Sequence, residues 1–302
     1  MKIMIVGCLG MLGSDLMQRF SSDSDVLGLD LPALDITDLS QCRARAHDFR
    51  PQAIINAAAM TDVDGCESRE NEAVEINGKG AGNLATAAAE TGAVIVHYST
   101  DYVFDGLKNQ AYRENDATAP VSAYGRSKLL GEELVSSACQ DHLIIRTSWA
   151  FGRNGKNFAR TILGAAREGR SLRVVNDQRG CPTYTRDLSS HTALMLEAGC
   201  RGIYHVTNSG SCTWYELAMR ALELAGIEGV RITPVSTADF PRQAKRPANS
   251  VLANYRLERE GLPLMRPWSI AVREYINNCG FRMVGRIFGR GGSAICVALE
   301  EK

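Results

Sequence analysis

The stretch Ile3-Met4-Ile5-Val6-Gly7-Cys8-Leu9-Gly10-Met11-Leu12-Gly13 decides how the rest of the chain is read. Its four consecutive apolar residues predict a strand buried on both faces, the environment of a parallel sheet. Gly7, Gly10 and Gly13 follow at even spacing, and a helical pattern then runs to about Phe20. Glycines between a strand and a helix allow a tight turn and a close approach of backbone N–H groups to an anion at the helix N-terminus. Gly7, Gly10, Met11, Leu12 and Gly13 are therefore candidates for holding the pyrophosphate of a dinucleotide. A glycine triplet alone also serves as a plain turn; the strand before it and the helix after it are what favour the nucleotide.

Working outward, Val26–Leu29 reads as a second strand ending in Asp30, where a carboxylate accepts hydrogen bonds from adenosine ribose hydroxyls. A carboxylate there welcomes a free 2′-hydroxyl and repels a 2′-phosphate, and Leu31-Pro32 add no basic residue, so NADH is favoured over NADPH. A basic residue arriving from elsewhere in the fold leaves NADPH open. Asp35-Ile36 stands where the adenine would lie, or forms an ordinary loop. Further strands are predicted at Ala53–Asn56, Val94–Tyr98 and Leu143–Arg146, with an alanine-rich helix over Ala81–Ala89. This alternation predicts an α/β, Rossmann-type doubly wound parallel sheet with a smaller C-terminal substrate-binding lobe. The expected division is 1–150, with roughly 180–206 woven back in, for the dinucleotide-binding part, and roughly 151–179 with 207–278 for the second lobe. Gly152–Gly155, Asp177–Gly180 and Pro241–Asn249 read as loops. The stretch 279–302 is an atypical Gly/Arg tail, either poorly ordered or a packed terminal element.

Lys plus Arg and Asp plus Glu both count 34, which leaves no electrostatic footprint for nucleic acid or an anionic membrane surface. The opening apolar run stops at Gly7, too short for a leader or a span. Nine cysteines show no CxxC pair, which predicts reduced thiols in a cytoplasmic protein. His47, His97, His142, His191 and His205 lack metal spacing and read as core or surface residues, so no metal is assigned. Oligomeric state stays open, a homodimer included.

The second constellation is Tyr124-Gly125-Arg126-Ser127-Lys128. With Ser122 as N-cap, Tyr124 and Lys128 share one helix face a turn apart. A free phenol titrates near 10 and is a sluggish proton donor at neutral pH. A neighbouring ammonium and a cationic nicotinamide favour the phenolate; a hundredfold gain in acidity asks for about 3 kcal/mol. YxxxK alone occurs in many helices. Its partners are Tyr98-Ser99-Thr100-Asp101 at the end of the fourth strand, where side chains project into the ligand crevice of an open α/β sheet. Thr100 is placed to bond a substrate oxygen or Tyr124.

Together these motifs make the chain resemble the extended short-chain dehydrogenases/reductases, and within them the dTDP-4-dehydrorhamnose reductase family. The matching stretches are Asn56 to Asp64, His97 to Phe104, Ala119-Pro120 with Tyr124-Gly125 and Lys128, Arg146-Thr147-Ser148-Trp149, Asn176-Asp177-Gln178 with Pro182-Thr183, and Arg246-Pro247 with Asn249-Ser250. The resemblance implies catalysis by Tyr124 as proton donor with Lys128 and Thr100. It implies cofactor contacts at Gly10, Met11, Leu12, Asp30, Asp35, Ile36, Ala59, Met60, Thr61 and Tyr98, besides Tyr124 and Lys128. It places Thr100, Asp101 and Trp149 at the sugar nucleotide. The implied reaction is NAD(P)H-dependent reduction of the C4 ketone of dTDP-4-dehydro-6-deoxy-L-mannose to dTDP-L-rhamnose. Met60 departs from the histidine usual in such proteins, and the tail has no counterpart. Trp149 is open between core packing and substrate stacking, and Arg242 and Arg246 between solvated loop and diphosphate clamp. A related 4-keto sugar-nucleotide reductase or an epimerase is an alternative, although Asp101-Tyr102 lacks the Asp-Glu pair of a dehydratase. So is a non-catalytic cofactor-binding regulatory subunit.

Overall fold

The computed structural model describes residues 1–281 and 295–296. Alternation along the first strand sets the layers. In β1 (Lys2–Val6), Ile3 and Ile5 face a core shared with Leu16 and Phe20 of α1 (Met11–Phe20). Met4 and Val6 face the opposite core. There β2 (Asp25–Leu29), α2 (Leu39–Phe49) and β3 (Ala53–Asn56) contribute Leu29, Cys42, Ala46 and Ile54. Next come α3 (Val63–Ser68), α4 (Glu70–Ala73), a π-helical segment (Val74–Gly80) and α5 (Ala81–Thr91). The small residues Ala81, Ala85 and Ala88 of α5 let it lie close on the sheet. Then follow β4 (Val94–Thr100), α6 (Ala123–Ala138) and β5 (His142–Thr147).

After β5 the chain leaves the sheet. β6 (Ala150–Phe151), α7 (Phe158–Arg167), β7 (Leu172–Val175), β8 (Arg179–Gly180) and β9 (Thr183–Tyr184) build most of a second layer. α8 (Thr185–Glu197) and β10 (Gly202–His205) return to the first. The six-stranded sheet has the order β10-β5-β4-β3-β1-β2, every pairing parallel. Its order reverses between β1 and β3, which opens a crevice beyond their carboxyl ends, and the Gly7–Gly13 turn lies there. The second layer is completed by β11 (Cys212–Thr213), α9 (Trp214–Ala225), β12 (Ile232–Val235) and α11 (Trp268–Asn278), whereas α10 (Tyr255–Arg259) packs against β10 of the first. Phe151, Phe158, Ile162, Trp214, Leu217 and Tyr275 fill its core.

Ala53–Asn56 falls where expected, whereas β4 runs on to Thr100, so Ser99 and Thr100 are the strand's own last residues. The expected loop Asp177–Gly180 ends in β8, which is two residues long and pairs with β11. Within 207–278, Leu257 and Met265 join the core of the six-stranded sheet, so that stretch crosses back once more. Of the tail, Cys279 caps α11, Phe281 packs on Tyr275, and a short β13 (Ile295–Cys296) pairs with Leu172–Arg173. The rest of 279–302 lies outside the described residues.

A buried ion pair ties α6 to the sheet. Arg146 Nη2 lies 2.7 Å from Glu132 Oε2, both side chains being 4% exposed, and Nε donates to Oε1 at 2.9 Å. Ser99 Oγ donates to the same carboxylate, and the guanidinium lies over the Phe104 ring. Removing one member of such a pair leaves an uncompensated buried charge. Glu132→Ala is expected to lower stability by about 3–5 kcal/mol, read from the urea midpoint, whereas an apolar double variant at Glu132 and Arg146 recovers most of the loss.

Candidate active site

At the carboxyl end of β1, Gly7 takes φ +79°, and a Cβ there would meet Ala58 N at 2.5 Å. A Cβ on Gly13 would lie 1.9 Å from the Gly7 carbonyl oxygen. Only glycine lets the turn and α1 approach this closely. Gly10 opens α1 without a side-chain cap, and no acidic residue stands in the first turn. The first-turn N–H groups, which have no carbonyl partner inside the helix, thus form a positive backbone cradle. A pyrophosphate fits this donor set and the space that side chains at Gly7 and Gly13 would fill. At the end of β2, Asp30 accepts from Leu9 N at 3.1 Å and Leu31 N at 3.0 Å, so its carboxylate also pins the glycine turn.

The two residues after this edge separate. Asp35 closes a local turn, accepting from Thr37 N at 2.9 Å and Oγ1 at 2.7 Å. Ile36 is buried against Gly80, and its carbonyl accepts from Asn83. The Ile36 side chain thus belongs to the core, whereas Asp35 stays at the turn.

The loop after β3 is held by a residue that sequence reading missed. Asn77 in the π-helical segment accepts from Met60 N at 2.8 Å and donates to Met60 O at 3.0 Å. It donates as well to Ser127 Oγ of α6 at 3.0 Å. Ala59, Met60 and Thr61 are thereby fixed relative to the helix bearing Tyr124, with Thr61 exposed and Met60 packed near Tyr124. Asparagine is an ordinary surface residue by composition, and only its burial, with 1% exposed, marks it out.

Ser122 Oγ accepts from Gly125 N at 3.2 Å, the expected N-cap of α6. Gly125 presses so close to the turn after β4 that a Cβ would stand 2.2 Å from Tyr102 O. The Tyr124 ring meets Tyr102 edge to face at 5.8 Å. Thr100 Oγ1 accepts from Tyr102 N at 3.2 Å and donates to Asp101 Oδ1 at 3.1 Å. Asp101, 2% exposed, thus braces the threonine from below the surface.

Lys128 is 3% exposed. Its Nζ donates to the Tyr98 carbonyl at 2.6 Å and lies 3.4 Å from His97 Nε2. Burial pulls the ammonium down to about 8, against the opposing pull of Glu132. The Tyr98 ring fills the sheet core and its hydroxyl pairs with Thr192 Oγ1 at 2.7 Å. What Tyr98 offers the site is the carbonyl that seats Lys128.

Trp149 takes φ +46°, unusual for a bulky residue. One indole face stacks on Trp214, with ring centroids 3.4 Å apart, and Gly180 leaves room for its edge. Half-buried, it packs against the second-lobe core and keeps an open side. Arg246 is held from another element of the fold. Its guanidinium makes a two-pronged pair with Asp64 of α3, Nη1–Oδ1 2.9 Å and Nη2–Oδ2 3.1 Å, and Arg242 approaches the same carboxylate at 3.5 Å. The fork expected to clamp a diphosphate latches the 241–249 loop onto α3, a pairing across 182 positions that no local pattern announces.

Among the described residues, no three His, Cys, Asp or Glu side chains are grouped to hold a metal ion, and no helix is long and apolar enough to cross a membrane. Residues 1–281 match the family model described as the RmlD substrate binding domain. A protein of Burkholderia thailandensis named dTDP-4-dehydrorhamnose reductase is 42% identical over 90% of this chain and 97% of its own. A Streptomyces niveus protein named dTDP-4-keto-6-deoxy-D-glucose reductase is 36% identical over 90% of this chain and 95% of its own. The crystal structure of a dTDP-4-dehydrorhamnose reductase from Bacillus anthracis in complex with NADP superposes with a TM-score of 0.90, at 36% identity, covering 92% of this chain and 99% of that one.

The latch carries a pH signature. Burial pushes the Asp64 carboxyl up, but the Arg246 bond and the Ala244 N–H outweigh it and hold the group below its ordinary 3.8. The folded chain then binds fewer protons than the unfolded one, so the stabilisation is present above 3.8 and disappears as pH falls through the lowered native value. Asp64→Asn is expected to cost about 2 kcal/mol near neutrality, and its deficit against the parent protein, followed by denaturant unfolding, shrinks in acid.

Proposed function

The chain belongs to the RmlD substrate binding domain family, and from that premise we propose that it reduces the C4 ketone of dTDP-4-dehydro-6-deoxy-L-mannose to dTDP-L-rhamnose with a reduced nicotinamide cofactor. The observation that carries the reading is the seating of Tyr124 and Lys128 one turn apart on α6, with Lys128 Nζ donating to the Tyr98 carbonyl near the carboxyl end of β4. The names of the Burkholderia and Bacillus relatives support the substrate. The Streptomyces relative makes a different dTDP-linked 4-keto-6-deoxy sugar the natural competitor.

In this reading the first-turn N–H groups of Met11, Leu12 and Gly13, with Gly7 and Gly10 clearing the approach, hold the pyrophosphate. Asp30 receives the adenosine ribose, Asp35 borders the adenine, and Ala59, Met60 and Thr61 line the cofactor's other edge. The bound cofactor supplies a hydride to C4. Tyr124 Oη gives its proton to the ketone oxygen, and the buried Lys128 charge one turn along offsets the negative charge left on the phenol. Lys128 also meets the nicotinamide ribose. Thr100, locked by Tyr102 N and Asp101, orients the ketone oxygen. Trp149 borders the sugar through its open side, and Arg246, through Asp64, fixes the loop that closes over the sugar nucleotide. We read 1–150 with roughly 180–206 as the cofactor-binding part and 151–179 with 207–278 as the substrate lobe. Eight free thiols among the described cysteines suit a cytoplasmic enzyme.

Tyr124→Phe is expected to lower kcat for ketone reduction by about 10²–10⁴-fold while leaving cofactor affinity within about twofold. Turnover near the parent rate would remove the proton donor from the reading. A panel of dTDP-linked 4-keto-6-deoxy sugars ranks the substrates, with steady oxidation of the cofactor separating a reductase from an epimerase.

Cofactor choice rests on Asp30. We expect NADH to be used better than NADPH, and Asp30→Ala to shift the kcat/KM ratio toward NADPH by about tenfold, the effect of relieving roughly 1.4 kcal/mol of repulsion. An unchanged ratio would take the choice away from Asp30.

A further inference from the structure

Behind Lys128 lies a buried histidine that the reaction as described does not use. His97 is 1% exposed, at the middle of a chain of contacts running Asn56–His97–Lys128. The hydrogen bonds on this chain decide which ring nitrogen carries the proton. Asn56 Oδ1 accepts from Ala58 N at 3.1 Å, which fixes the orientation of its amide. Its Nδ2 therefore faces His97 Nδ1, at 3.1 Å, as a donor. Nδ1 must accept, so in the neutral ring the proton sits on Nε2. Nε2 is the atom 3.4 Å from Lys128 Nζ. The ring can sit there because position 131 is glycine: a Cβ would be 3.2 Å from Nε2 and 2.3 Å from Asn77 O.

We propose that His97 is a positioning residue of the reduction, presenting an N–H rather than a lone pair to Lys128 and so favouring release of the lysine proton. An ammonium beside that N–H meets a positive dipole end, whereas a neutral amine accepts from it. The other groups facing Lys128 are accounted for. The Tyr98 carbonyl accepts from it. Glu132, one turn along α6, attracts it but is shared with Arg146 and Ser99. Tyr124 lies one turn back, and Asn77 and Ser127 are neutral. Glu75 and Lys79 of the π-helical segment pair with each other at the surface. Burial and the Lys128 charge hold His97 well below the ordinary histidine range, so the ring stays neutral, as the tautomer argument requires.

The consequence concerns direction. A reductase needs Tyr124 protonated when the ketone arrives. A permanently charged lysine would hold the phenol as phenolate, ready to take a proton instead of giving one. A tempered lysine keeps the proton on Tyr124 until charge develops on the substrate oxygen.

This inference rests on the reductase reading for its purpose but not for its test. Long-range ¹H–¹⁵N spectra of the full chain labelled in histidine are expected to give His97 as the Nε2–H tautomer, and an Nδ1–H tautomer overturns the proposal. Asn56→Asp supplies an acceptor at Nδ1, keeps an oxygen for Ala58 N, and turns a lone pair of Nε2 toward Lys128. In that variant the Lys128 titration, followed by ¹⁵Nζ shift, is expected to move upward by about one pH unit, a tenfold gain in proton affinity. The basic limb of kcat/KM for ketone reduction moves with it. A switched tautomer with an unmoved Lys128 titration also overturns the proposal. A moved titration in a chain that reduces no 4-keto sugar would sink the reductase reading and leave the His97–Lys128 coupling standing.

Discussion

A lysine ammonium with 3% of its surface exposed has to be held by something, and most of the site follows from how this chain holds Lys128. Taking a charge out of water costs several kcal/mol unless polar partners replace the lost hydration. The partner here is a backbone carbonyl at the end of a central strand, reached at 2.6 Å. That contact requires α6 to lie almost on β4 and the turn after it; Gly125 permits the approach to the turn, where a Cβ would collide with Tyr102 O, and Gly131 the approach to the π-helical segment, where it would collide with Asn77 O. The same approach sets Tyr124 against the turn whose first hydrogen bond Thr100 supplies. Tyr124, Lys128 and Thr100, the three residues proposed for the reaction, are placed by one packing contact.

The buried Glu132–Arg146 pair is best understood from this contact. A second carboxylate one turn beyond Lys128 would be expected to fix the lysine charge outright. Arg146 and Ser99 draw on both of its oxygens, which leaves Lys128 with only a weak upward pull and a proton it can surrender at mildly basic pH. The ion pair thus both anchors the helix and limits how strongly the site holds its own cation.

Much of this was legible in the residues. Unbroken apolar runs such as Ile3–Val6 and Ala53–Ile55 announced strands buried on both faces, because only a parallel sheet covered on two sides hides every side chain. The spacing of Tyr124 and Lys128 on a capped helix was equally local. What stayed hidden depends on contacts between distant positions or on elements too short to carry a period. β8 and β9 have two residues each. Asn77 and His97 acquire meaning only through burial. Tyr98 presents its carbonyl rather than its ring, which side-chain identity does not reveal. Arg246, basic and in a loop, suits a phosphate by composition, and only the fold supplies Asp64.

The second lobe matters to the chemistry through where it is stitched to the first. Asn154 of the second lobe donates to Ser14 of α1 at 2.7 Å. The Arg246–Asp64 latch closes the far side on α3, beside the loop that Asn77 holds. These ties grip the two segments that border the cofactor crevice, the helix of the glycine cradle and the stretch after β3. The lobe is anchored by its own aromatic core around Trp214 and Tyr275, and meets the crevice through polar and charged contacts. Trp149 stands at the boundary between these two kinds of attachment. One face is committed to the core and its backbone is held in a left-handed conformation, which turns the remaining surface outward at the end of β5. That division of one residue between packing and exposure is why its role was undecidable from sequence: residue type alone does not say which side of the ring the core takes.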